Sequence, residues 1–286
     1  MKLPTGQIYA RAMLDELGIV GLVDVREVAA QINLELNEVE VDGFDGALIR
    51  TEGASFGAIA IRRGIVEEGR KNFTIAHEIG HYVLPGHEKC DEVCLDTDVG
   101  NWSDVGKQLE READGFAAEL LIPTAYARPR FSETSPSLQT ISTVATECRA
   151  SLSATAWRYC DLVPHACAIV WSRDGRIAWS RSSDMFGFFI ERGKYLEKGT
   201  VACALFEGTS SGSEDDSPRP VPADLWLESR RLNEGAEIWE HSIFLRNYRS
   251  VLSLLWIKDP ISKQDDTEDL LPELDPFGLD SVKRRR

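Results

Sequence analysis

Positive charge is what this sequence has least of: 32 Lys and Arg stand against 47 Asp and Glu, a formal net charge of −15 at pH 7. A general nucleic-acid binder needs a basic surface to displace phosphate counterions, so the balance argues against that class. Acidity favours solubility and does not itself choose a substrate. Long hydrophobic runs are also missing, and no stretch reaches the roughly 18 apolar residues of a membrane-spanning helix. Residues 1–9 lack the charged, apolar, then small-residue order of a secretory signal. A cytoplasmic protein with no membrane partner is expected. The 6 Cys are scattered along 286 residues, a pattern of reduced thiols and not of a disulfide framework.

Apolar material is plentiful: hydrophobic residues make up 43% of the chain, with 7 Trp and 11 Phe, enough for two or three modest domains. Helical spacing marks residues 6–17, closed by Gly18, and 25–32, opened by Asp24 as N-cap. Alternation marks strands over 34–41, 46–50 and 57–62. A long helix over 67–84 ends at Pro85-Gly86. A Cys- and Asp-rich loop over 87–103 leads to a helix over 107–121, stopped at Pro123. This order describes an α+β domain over residues 1–134. Residues 135–163 read as a short linker and two helices, 138–147 and 152–162, in helix-turn-helix proportions. Strands then take over: 166–171, an Arg173-Asp174-Gly175 turn, 176–180, 223–227, 237–245 and 251–257. They form a C-terminal mixed α/β domain over 164–260. Residues 209–222 read as a mobile loop, and 261–286 as a disordered acidic tail with a basic end, Lys283 to Arg286.

The chemistry concentrates in the 67–84 helix, which holds two of the chain's 5 His. His77 and His81 are four apart, so both imidazoles can point at one ion. Glu78 is displaced by about a third of a turn. It can reach a water at the ion without ligating the metal, take its proton as hydroxide attacks a carbonyl, and return it to the leaving amine. The third ligand has three candidates. His87 has the spacing of the H-E-x-x-H-x-x-G-x-x-H class, but Leu84 stands where that class needs glycine. Glu110 and Asp114 share a face of the next helix, so Glu110 can ligate while Asp114 holds a histidine N–H. Glu112 points elsewhere. Glu110 is the favoured ligand.

The string Phe73-Thr74-Ile75-Ala76-His77-Glu78-Ile79-Gly80-His81, with Glu110-Arg111-Glu112-Ala113-Asp114-Gly115-Phe116-Ala117-Ala118-Glu119-Leu120-Leu121-Ile122-Pro123, resembles the ImmA/IrrE family of metallopeptidases over about residues 5–160. The resemblance implies a zincin-like, glutamate-ligand (gluzincin-like) fold, zinc ligands at His77, His81 and Glu110, and Glu78 as catalytic base. It also implies a regulatory endopeptidase that cuts a helix-turn-helix repressor to release stress or mobile-element genes. Beyond Ser137 the chain is similar, more loosely, to longer members whose last domain is compared to a sensory GAF domain. Zn2+ is the expected cofactor, and Mn2+ or Fe2+ could occupy the same ligands.

Other residues read more plainly. Cys90 and Cys94 fall short of a closed four-ligand set and read as small, partly buried residues. Tyr126 is a surface tyrosine before it is an oxyanion donor. In the helical hairpin, Glu147 and Asp161 cancel Arg149 and Arg158, and Arg149 stands where a tight turn prefers glycine. A packing hairpin is expected, without direct DNA binding. The C-terminal tryptophans and phenylalanines read as core. A DNA- or partner-binding regulator with a structural metal site is the competing reading; Glu78 argues against it, since a structural site needs no base.

Overall fold

Asp24 accepts the Arg26 N–H at 2.9 Å and so starts a helix where the sequence places one. The computed structural model describes residues 5–50, 56–87, 104–133, 135–208, 217–228 and 232–258. Helix α1 (Thr5–Glu16) buries Gly6, Ala10 and Leu14, one apolar stripe, and α2 (Val25–Gln31) buries Val25, Val28 and Ala29. Strands β1 (Leu34–Val39), β2 (Gly46–Arg50) and β3 (Gly57–Arg62) form a sheet in the order β1-β3-β2, with β3 parallel to β1 and antiparallel to β2. Ile59 and Ile61 of β3 share a core with Ile75 and Ile79 of α3 (Glu68–Val83). Helix α4 (Asp104–Leu121) contributes Phe116, Ala117 and Leu120, all fully buried.

A helix absent from the sequence reading follows. α5 (Thr124–Ser132) carries Pro129 within it, a residue that normally stops a helix because it lacks an N–H. Tertiary packing overrides the breaker: Ala127 and Phe131 are fully buried, and Phe131 meets Tyr159 edge-on at 5.0 Å. Helices α6 (Leu138–Glu147) and α7 (Leu152–Leu162) are capped by Ser137 and Ser151. Arg149 in their turn adopts the left-handed conformation, φ 47°. Its carbonyl accepts from Asn72 Nδ2 at 2.9 Å and its guanidinium reaches Asp24 at 3.2 Å, which ties the turn to α2 and α3. Arg158 on α7 is buried and pairs with buried Glu119 on α4. The hairpin thus turns both arginines onto carboxylates at the start of α2 and on α4.

The second sheet is antiparallel, in the order β5-β4-β8-β7-β6, from β4 (Cys167–Arg173), β5 (Arg176–Ser182), β6 (Arg219–Pro222), β7 (Glu237–Leu245) and β8 (Ser250–Trp256). Asp174 and Gly175, with φ 50° and 73°, make the two-residue turn whose twist suits a hairpin. Every residue of central β8 is buried because both faces are covered. Leu252, Leu254 and Trp256 join the core that contains α6 and α7, while Val251 and Leu255 pack with Val201 and Ala202 of α8 (Val201–Glu207).

Two expectations need correction. Residues 223–227 are not a strand: Ala223–Leu225 is a single 3-10 turn. The strand lies just before it, at Arg219–Pro222, inside the stretch read as a mobile loop. Pro220 and Pro222 suggested a loop, but an edge strand tolerates residues without an N–H, and β6 is the edge. The 88–103 part of the Cys-rich loop, with Cys90 and Cys94, the stretch 209–216, and the 261–286 tail lie outside the described residues. Among the described residues, no helix is long and apolar enough to cross a membrane.

Candidate metal centre

The close approach of α3 and α4 builds the site, and a glycine makes it possible. A Cβ on Gly80 would lie 3.2 Å from Phe116 Cδ1 and 3.3 Å from Ala113 Cα, so a bare Cα lets the helices meet at the motif. One turn along each helix, His77 Nε2 lies 3.1 Å from Glu110 Oε2, and His81 Nε2 lies 3.2 Å from Glu110 Oε1. The two Nε2 atoms are 3.0 Å apart. Three donors of opposite helices therefore converge on one point. His77, His81 and Glu110 are the group among the described residues able to hold a metal ion. A tetrahedral ion with bonds of about 2.0–2.1 Å sets its ligand atoms about 3.3 Å apart, and this triangle is close to that size.

Electrostatics agrees with the geometry. Burial alone would raise the pKa of Glu110, but hydrogen bonds from His77 and His81 overcome it and hold the carboxyl at about 2. Glu110 is thus an anion at any working pH, as a ligand must be. Glu78 is 2% exposed and lies against β2: a Cβ on Gly46 would come within 3.0 Å of its Oε1 and 2.3 Å of Thr74 Cγ2. Asp114 Oδ1 is 3.0 Å from His77 Nδ1. That contact fixes the ring so that Nε2 faces Glu110.

His87 and Glu112, the rival ligands of the sequence reading, are absent from the convergent triangle. His87 lies behind His81, with its Nδ1 3.0 Å from His81 Nδ1 and its Nε2 3.5 Å from Glu112 Oε2. Burial and the neighbouring His81 push its pKa down, and Glu112 opposes them. Two more supports went unnoticed in the sequence. Arg50 on β2 donates to the His81 carbonyl and sits 5.4 Å from the centre of the Tyr82 ring. Buried Asn72 accepts from Arg26 at 2.8 Å while donating to Arg149. A lone arginine in a strand or an asparagine in a helix carries no spacing signal that could have marked either. Tyr126 directs its hydroxyl to Glu147 at 2.9 Å, so it serves α6 and not the site.

No curated protein matches the chain. A solved Mycobacterium tuberculosis transcriptional regulator matches with a TM-score of 0.51 and 12% identity, covering 88% of this chain and 75% of that one. This likeness is one of fold. The family model of the IrrE N-terminal-like domain, Peptidase M78, matches residues 29–159, a span that includes β1 through α6, most of α7 and every residue of the triangle. Over residues 29–159, therefore, this chain is similar to the IrrE N-terminal-like domain of the M78 peptidase family.

Proposed function

We propose that this protein is a regulatory zinc endopeptidase that cuts one or a few bonds in a helix-turn-helix transcriptional repressor. The observation that carries the reading is the convergence of His77, His81 and Glu110 with buried Glu78 on the same helix. His77, His81 and Glu110 would hold the ion, and Asp114 would orient His77. Zn2+ suits two imidazoles and one carboxylate, with Mn2+ and Fe2+ able to take the same set. A bound divalent ion supplies Lewis-acid polarisation and acidifies water. Glu78 takes a proton from the attacking water and delivers it to the leaving amine. Its burial against Gly46 keeps the carboxylate in a fixed position, which a proton shuttle requires. Strand β2, at the edge of its sheet and in contact with Glu78, offers backbone groups along which an extended substrate segment can lie.

The C-terminal antiparallel sheet carries no second ligand cluster among the described residues. We assign it a regulatory role, transmitted through the core it shares with α6 and α7. The fold likeness to a transcriptional regulator supports a place in gene control and also motivates the second reading, a partner-binding regulator with a structural ion. One experiment separates the two. Wild-type protein and Glu78→Gln are incubated with candidate repressors encoded nearby, with and without a chelator. Glu78→Gln should keep its metal and lose cleavage by roughly 10²–10⁴-fold. A Glu78→Gln protein that still controls its target while neither protein cleaves would favour the structural ion.

A further inference from the structure

Each ring that faces Glu110 has a second nitrogen, and those two nitrogens meet different partners. His77 Nδ1 meets a carboxylate, Asp114. His81 Nδ1 meets another imidazole, that of His87, at 3.0 Å. His87 is fully buried and follows Gly86, whose φ of 87° turns the chain back after Pro85. Its other nitrogen, Nε2, makes no hydrogen bond of ordinary geometry among the described residues, and Glu112 Oε2 stands 3.5 Å away. Glu112 is itself anchored, since its Oε1 accepts from Gln108 Nε2 at 3.0 Å.

Proton accounting fixes the direction of this chain of groups. It rests on the proposed metal site, in which His81 turns the Nε2 lone pair to the ion and so keeps its proton on Nδ1. That Nδ1–H needs an acceptor, and His87 Nδ1 is in place to accept. His87 must then carry its own proton on Nε2, the atom facing Glu112. We propose that His87 is a positioning residue for the metal centre: it accepts from His81 and, braced by Glu112, holds the His81 ring in its ligating orientation and tautomer. The centre would then have two unlike supports, a direct carboxylate behind His77 and an imidazole–carboxylate relay behind His81. The carboxylate acts on His81 through one intervening ring, and the relay lies in the interior where His87 is closed to solvent.

This explains a feature of the sequence that a ligand role does not. His87 has the spacing of a third ligand, yet the triangle is complete without it. A residue in that position and fully buried has to place two ring nitrogens, and here Nδ1 meets the His81 ring while Nε2 faces the Glu112 carboxylate at 3.5 Å.

The test uses the full chain with Zn2+ and long-range 15N NMR of the five histidines, which reads tautomers directly. The expected pattern is Nδ1–H for His77 and His81 and Nε2–H, with unprotonated Nδ1, for His87. His87 protonated on Nδ1, or bound to the ion, overturns the relay. Zinc affinity, measured by chelator competition, gives the second readout. His87→Leu should weaken binding by roughly 10–100-fold. His87→Asn, which keeps an acceptor near the Nδ1 position, should recover most of that loss. Equal affinity for wild type and His87→Leu, or an Asn variant as weak as the Leu variant, refutes the positioning role. The site reading fails separately, if His77→Ala and His81→Ala bind zinc as tightly as wild type.

Discussion

Arg158→Met tests how the helical hairpin is held to α4. Arg158 and Glu119 are 2% and 1% exposed at their side chains. Arg158 also donates to the Ile122 carbonyl at 3.2 Å and to Thr124 Oγ1 at 2.7 Å. Removing one partner of a buried pair costs about 3–5 kcal/mol, since the other charge remains desolvated. Here Glu119 keeps Arg11 at 3.1 Å, the Thr124 N–H at 2.9 Å and the Thr124 hydroxyl at 2.8 Å, which places the loss toward the lower end. The orphaned Ile122 carbonyl adds about 1 kcal/mol, for an expected total of about 3–4 kcal/mol at neutral pH. The pH dependence has a definite sign. Burial would raise the Glu119 carboxyl, but Arg11, Arg158 and Thr124 hold it below the ordinary value. Its stabilisation is therefore present above the ordinary carboxylate pKa and lost as pH falls through the lower folded value. Without Arg158 the carboxyl rises, so the difference between the two proteins should narrow in acid. Urea unfolding at neutral and acidic pH measures it, with Arg63→Ala, from an exposed pair with Glu40, as a control expected within about 0.5 kcal/mol of wild type. A loss under about 1 kcal/mol, or one that widens in acid, would refute a buried, charge-paired anchor.

Other outcomes follow from single contacts. Gly46→Ala forces a Cβ to within 2.3 Å of Thr74 Cγ2 and 3.0 Å of Glu78 Oε1; it should cut cleavage far more than zinc affinity, and an equal loss of both would mean that β2 does not position Glu78. Glu240, fully buried, accepts from Val201 and Trp226 on one oxygen and from Ala202 and Ser242 on the other. Burial pushes its pKa up against those donors. Glu240→Gln must set an NH2 against two donors, so thermal or urea unfolding should show a loss of about 2–4 kcal/mol; a more stable variant would show that relief of the buried charge dominates. Cys148, Cys160, Cys167 and Cys203 are all buried and should react with a thiol reagent only after denaturation, unlike an exposed thiolate; rapid native labelling of any of them would contradict the packing.

The sequence revealed the elements whose own residues repeat a pattern. Helices α3 and α4 were legible because His77 and His81, and Glu110 and Asp114, repeat at one helical turn, and the Asp174-Gly175 turn because only certain residues accept positive φ. Elements specified by distant contacts were not. Helix α5 survives Pro129 because Phe131 is buried against Tyr159, and β6 exists because β7 supplies a partner for a proline-bearing edge. Helix α8 depends at its start on Thr200 and on the Glu240 carboxylate, a contact distant in sequence. At the site, spacing named the atoms that converge and Asp114 behind His77, but not the groups behind His81. His87 and Glu112 read as competing ligands because sequence distance gives reach and not direction. Only the packing of α3 on α4 turns them behind His81.

X-ray absorption at the zinc edge of the metal-loaded, full-length protein tests the central claim most directly. The account predicts two imidazole nitrogens at about 2.0–2.1 Å with the remaining ligands oxygen, one of them lost in Glu110→Ala. A sulfur shell at about 2.3 Å, or a third imidazole that disappears in His87→Asn, would contradict the His77, His81 and Glu110 site.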